Sequence, residues 1–235
     1  MAIRPVKHRK VKLMNLEGFR VCLEAGHGYH DTMEYDPGAV AHGFEEHKLN
    51  VAQVEHVAKL LEAEGCKVTK VICRAGNGLA LSKRGLQAAG HDLFLSFHHN
   101  AANGKAQGTE VLMHLQGTLS DAGFATALSK RVANALGYFD RGMKKQSLGV
   151  LRQVPKEVKA AVLVESYFMD NSALAGTDLE TLSLKAADAI AEGIADYLVK
   201  NCKPRKQVIV EPKKVDIGPS EPKKVELPKL PWKKH

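Results

Sequence analysis

The stretch Arg20-Val21-Cys22-Leu23-Glu24-Ala25-Gly26-His27-Gly28 runs an apolar strand signal into a histidine held between two glycines. Glycines on both sides let the backbone turn tightly and present the ring outward. The segment that follows changes period. Over about 46–64 the apolar residues Val54, Val57, Ala58 and Leu61 recur at helical spacing, and Gly65 closes the helix. CKVTKVIC, residues 66–73, then reads as a second strand. Strand, helix, strand is the unit from which parallel sheets are built.

The alternation continues along the chain. Residues 79–90 fit a helix, 92–97 a strand, 109–115 a strand and 119–136 a helix. Short strands are expected at 148–152 and 161–166. The last helix, about 178–200, carries Leu182, Ala186, Ile190, Ile194 and Leu198 on one stripe. The expected fold is a single α/β domain, a mostly parallel mixed sheet with helices on both faces, spanning residues 20–201. A basic segment, 1–19, precedes it and a Pro/Lys-rich disordered tail, 202–235, follows.

Composition narrows the class. A chain of 235 residues with 44% hydrophobic and 26% charged residues fits a globular protein with a core of ordinary size. No apolar run approaches the roughly 20 residues that span a bilayer. The basic N-terminus has no apolar stretch behind its charges, so no secretory signal is expected. The four cysteines form no CxxC pair and read as reduced thiols. Of the net charge of +8, residues 202–235 hold +6 and residues 1–20 hold +5, which leaves the middle at −3. An acidic body argues against nucleic-acid binding, while the basic tail suits anionic cell-envelope polymers, with Trp232 as an interfacial anchor. Six of the nine prolines lie in 204–231, and EPKKV occurs at 211–215 and again at 221–225. That composition cannot offset chain entropy by burial.

Polar, metal-competent side chains fall at strand ends and at a helix start, the edge where open α/β sheets bind ligands. His27 ends the first strand. Glu46 opens the first helix and aligns with Asn50, Val57 and Leu61 on its core-facing stripe, whereas Glu45 points about 100° away. A core-facing carboxylate needs a partner. His98 and His99 end the strand DLFLSF on opposite sides, and the run of apolar residues before them favours neither. Glu165 follows the apolar residues 161–164, where a carboxylate requires a metal, a proton or a donor. Two histidines and one glutamate make a three-ligand catalytic zinc set that leaves a fourth position for water, with a second glutamate free as base. Other histidines, His8, His30, His42, His47, His56, His91 and His114, have no spacing that singles them out, and most are expected on the surface or in loops. HExxH, GxSxG and the P-loop lysine motif are absent. The chain reads as a metal-dependent hydrolase.

At these residues the chain resembles the zinc-dependent N-acetylmuramoyl-L-alanine amidases, which cut peptide stems from peptidoglycan. The matching pieces run in order: EAGHG (24–28), DPGAV (36–40), EEHKLN (45–50), SFHHNA (96–101), GTEV (108–111) and LVESYFMDN (163–171). The chain departs from the family at Glu24, where aspartate is usual, and at Ala88-Ala89 after Arg84, where Ala-Asn is usual. The resemblance implies His98 rather than His99 as ligand, one catalytic zinc on His27, Glu46 and His98, and Glu165 as the group that accepts and returns the proton. It also implies Asn100, Arg84 and Asn171 as substrate-binding residues. With no secretory signal expected, it implies a protein made in a host cytoplasm that reaches the wall after release, as a phage endolysin does. A sporulation or autolytic amidase and an inactive peptidoglycan-binding module are the other settings.

Overall fold

Six strands form the central sheet of the computed structural model, which describes residues 14–205. In chain order they are β1 (Arg20–Ala25), β2 (Lys67–Ile72), β3 (Leu93–Asn100), β4 (Thr109–His114), β5 (Asp140–Gln146) and β6 (Ala160–Phe168). Their order across the sheet is β2-β1-β3-β6-β4-β5. The pairs β1–β2, β1–β3 and β3–β6 are parallel, β6–β4 is antiparallel, and β4–β5 is parallel again. The C-terminal ends of β1, β3 and β6 therefore share one edge with the N-terminal ends of β4 and β5. Every catalytic candidate lies along that edge.

Three long helices, α1 (Glu46–Ala63), α2 (Leu119–Leu136) and α3 (Leu179–Asn201), cover one face. The other face is covered by the short helices Leu81–Arg84 and Gly149–Arg152 and by a 3-10 turn at Gly85–Ala88. The period of two along the strands sorts side chains between these layers. Val21, Leu23 and Ala25 of β1, Leu93, Leu95 and Phe97 of β3, and Ala160, Val162 and Val164 of β6 enter the core under the long helices. Cys22, Phe94 and Leu163 point the opposite way, into the smaller core. Full burial of each Leu, Val or Phe contributes about 1.5–3 kcal/mol.

Helix α2 starts at a capping box between Thr118 and Asp121 and ends at Gly137, whose φ of 75° suits a glycine. Helix α1 lacks a side-chain cap. Its first N–H groups, those of Glu46 and His47, donate instead to the carbonyls of Ala39 and Pro37 at 2.8 and 2.9 Å. The loop before α1 thereby fixes where Glu46 sits.

One expectation is corrected, and two features lie outside the expectations. Where a strand was expected over 148–152, Gly149–Arg152 is a helical turn, from which the apolar pair Val150-Leu151 packs under the sheet. The strand Asp140–Gln146 had no expectation. The packed body also extends past 20–201: Leu16 and Phe19 are buried, and Arg205 donates to the Gly18 carbonyl and pairs with Asp92 at 2.6 Å. The tail expected to be disordered lies, from residue 206 on, outside the described residues, as do residues 1–13. No helix among the described residues is long and apolar enough to cross a membrane.

The cysteines are free thiols. Burial pushes the thiols of Cys22 and Cys66 up to about 12, raises Cys73, and holds half-buried Cys202 at about 11. Because the thiolate is the reactive form, the folded protein at pH 8 is expected to resist iodoacetamide and to take up four labels once denatured. Mass spectrometry of native and denatured samples reads this directly.

Candidate metal centre and catalytic carboxylate

His27 stands at the turn after β1 with φ of 63°, a left-handed conformation that costs a non-glycine residue about 1–3 kcal/mol. The surroundings hold it there. Its Nδ1–H donates to Asp36 Oδ2 at 2.7 Å, and its Nε2 lies 3.1 Å from Glu46 Oε2. Its carbonyl accepts from Arg84 Nη1 at 2.7 Å. Arg84 also pairs with Glu24 at 2.9 Å, both side chains 1% exposed, and Glu24 accepts from the Ser96 hydroxyl at 2.5 Å.

Glu46 reaches over the edge from the start of α1. Its Oε1 lies 2.9 Å from His98 Nδ1 and accepts from the His99 N–H at 3.2 Å, while Oε2 accepts from the Ala39 N–H at 3.0 Å. Ligand atoms of His27, Glu46 and His98 all lie within 4.8 Å of one another. Burial alone would raise the Glu46 pKa, but the two histidines outweigh it and hold the carboxylate well below its usual range. Burial alone would lower the His27 pKa, and Glu46 and Asp36 reverse this and hold it up at about 9. His98 is raised in the same way by Glu46 and Glu165 against burial. Two imidazoles converge on one ionised carboxylate, and one of them is oriented from behind by Asp36. That donor chemistry fits a divalent cation of the zinc type.

Strand parity separates the adjacent histidines. His98 continues the Phe94–Ser96 face, towards the site. His99 continues the Leu93–Leu95–Phe97 face and is buried under the long helices. There its Nδ1–H donates to Asn50 Oδ1 at 2.8 Å, and its Nε2 accepts from the Ser183 hydroxyl at 2.9 Å. Burial holds His99 neutral by lowering its pKa to about 3. His99 and Asn50 thus tie α1 to α3, and Asn50 Nδ2 donates to the Gly26 carbonyl at 3.3 Å.

Glu165 is the register partner of His98 across β6 and β3. Its Oε2 is out of solvent contact and has no hydrogen-bond partner among the described residues. Burial pushes its carboxyl up to about 8; His98 opposes this, and Glu46 and Glu110 add to it. A carboxyl poised near neutrality beside the three converging ligands is equipped to accept and return a proton.

Asn100 closes the same edge, donating to Glu110 Oε1 at 3.0 Å. The two other residues expected to touch substrate also make contacts that hold the frame. Arg84 lies beneath the His27 turn. Asn171 Nδ2 donates to the carbonyls of Lys105 and Ala106, and its Oδ1 accepts from the Ala173 N–H. His47, which no spacing singled out, is buried and donates from Nδ1 to the Gly26 carbonyl at 2.7 Å. Its place depends on the fold of the His27 turn, which no local spacing announces. Asp36 and Glu110 lie within motifs quoted above, but their contacts to His27 and Arg141 come only with the tertiary structure.

The glycines around the histidine act through space as well as backbone. A Cβ on Gly26 would fall 2.2 Å from the His98 ring, and one on Gly38 2.6 Å from Glu46 Oε2. Gly26→Ala is therefore expected to displace His98 and to lower amidase activity by more than about a hundredfold, since small misplacements at a reacting centre carry that effect. Turnover within tenfold of wild type would show that the His98 ring can give way.

A mostly parallel sheet with two histidines, a glutamate and a second, buried carboxylate along one edge is the framework of a hydrolase. The family model described as N-acetylmuramoyl-L-alanine amidase matches residues 21–196, and the chain belongs to that family. The uncharacterized protein YqiI of Bacillus subtilis (strain 168) is 34% identical over 190 residues, covering 77% of this chain and 86% of that one. Among solved structures, the catalytic domain of CwlV, an N-acetylmuramoyl-L-alanine amidase from Bacillus (Paenibacillus) polymyxa var. colistinus, is 27% identical with a TM-score of 0.66. That match covers 77% of this chain and 98% of CwlV. An N-acetylmuramoyl-L-alanine amidase from Clostridium difficile 630 shares the fold at 22% identity and a TM-score of 0.68, over 80% of this chain and 99% of that one.

Proposed function

We propose that this family member is a zinc-dependent hydrolase of the amide between N-acetylmuramic acid and L-alanine in peptidoglycan. The observation that carries the reading is the convergence of His27 Nε2 and His98 Nδ1 on Glu46, with Glu165 next to them. His27, Glu46 and His98 would hold the zinc, which would supply a Lewis acid for the scissile carbonyl and lower the pKa of a bound water to about 7. Asp36 accepts the Nδ1 proton of His27 and so leaves Nε2 as the ligand atom. Glu165 takes the proton of the attacking water at its unpartnered Oε2 and delivers it to the nitrogen of the leaving alanine. Arg84, through the His27 carbonyl, and Asn50 and His47, through the Gly26 carbonyl, keep the histidine turn in place.

Metal content tests the ligand assignment apart from activity. One zinc per chain is expected after dialysis of the zinc-loaded protein, with Glu46→Ala and His98→Ala losing it. Full zinc retention by either variant would overturn the assignment.

A further inference from the structure

Arg141 begins at the catalytic edge because β5 runs parallel to β4 and opposite to β6. Its Nε–H donates to Glu110 Oε2 at 2.6 Å. Glu110 is in turn the register partner of Glu165 across β4 and β6, and its other oxygen accepts from Asn100. The guanidinium carbon sits 4.9 Å from the centre of the Phe168 ring, and the stem passes over Gly108, where a Cβ would fall 2.9 Å from Arg141 Cγ. A ring, a carboxylate and a missing side chain thus fix the direction of a long, costly-to-order residue.

What this arrangement leaves unspent is the fork. Glu110 engages only Nε. Nη1 has a single contact at the limit of hydrogen bonding, 3.5 Å to the Gln107 carbonyl, and Nη2 has no hydrogen-bond partner among the described residues. The side chain is 35% exposed. An oriented guanidinium with its Nη1–Nη2 edge open is shaped for a planar anion, and a carboxylate matches it with two parallel hydrogen bonds.

We propose that Arg141 is a substrate-binding residue that recognises a carboxylate of the stem peptide, next to the alanine released by hydrolysis. The proposal rests on the amidase reading, which places the peptide side of the scissile amide beside Glu165. It makes this chain selective for stems whose second residue carries a free carboxylate over stems in which that group is amidated.

The test uses two N-acetylmuramoyl tripeptides that differ only in whether that carboxylate is free or amidated, with the zinc-loaded full chain. Wild type is expected to favour the free carboxylate by roughly ten- to a hundredfold in kcat/KM, mainly through KM, as suits one charge-assisted pair. In Arg141→Met the ratio of the two is expected to collapse to about one. Arg141→Lys, a point charge without the fork, is expected to fall between. The readout is a ratio within each protein, so a general loss of activity in a variant does not move it. A wild-type ratio near one, or a ratio that persists in Arg141→Met, overturns the proposal. Failure of the amidase reading looks different, with neither substrate cut by wild type, and it would remove both.

Discussion

Glu165→Gln is expected to lower the rate of peptidoglycan amide hydrolysis by about a hundred- to ten-thousandfold, the range for removing a general acid-base group. The same variant is expected to keep one zinc per chain and the wild-type fold. Glutamine has nearly the size of glutamate and carries no charge. The glutamate Oε2 makes no hydrogen bond among the described residues that the substitution could break. Burial already pushes the carboxyl towards its neutral form, up to about 8, so the pocket tolerates an uncharged group. Turnover, zinc content and melting temperature measured on one preparation separate the outcomes. A variant with near wild-type turnover would remove Glu165 from the reaction, and one that lost zinc would make it a ligand instead.

Arg84→Met is expected to have the largest effect on stability. It leaves Glu24 as an uncompensated charge in a site 1% exposed, a loss of about 3–5 kcal/mol. For a chain of this size that corresponds to a fall in Tm of roughly 6–20 °C. Replacing both partners, Glu24→Leu with Arg84→Met, should recover much of the stability, because a buried ion pair gains little over apolar packing. Activity should not return with it. The His27 carbonyl still lacks the donor that Arg84 Nη1 supplied, and His27 occupies a left-handed backbone that must be held. Thermal melts and turnover of the two variants test this. A double variant both stable and fully active would show that the turn keeps its shape without Arg84.

The sequence makes this edge legible where physics is local. Val21 to Leu23 has no reason to be so apolar outside a sheet, and the stripe through Glu46, Asn50, Val57 and Leu61 places a carboxylate on a core face. Where partners come from far along the chain, the reading stops. His98 and His99 look alike from the apolar run before them, yet Ser96, a polar residue within that run, marks the face that His98 shares. The strand Asp140–Gln146 escapes because it is a sheet edge. Its residues are half-buried or exposed, with lysines that discourage further pairing, so no alternation reports it. Arg141 was missed with its strand. Residues 148–152 show the converse, since a few apolar residues carry too little pattern to tell a helical turn from a strand.

The central claim is tested most directly by following the new chemical ends that the protein makes in purified peptidoglycan. A rise in N-terminal alanine amines without new reducing sugar ends is expected, lost on chelation and restored by added zinc. Alanine release that persists undiminished under chelation would contradict the metal site, and new reducing ends without alanine would contradict the amidase itself.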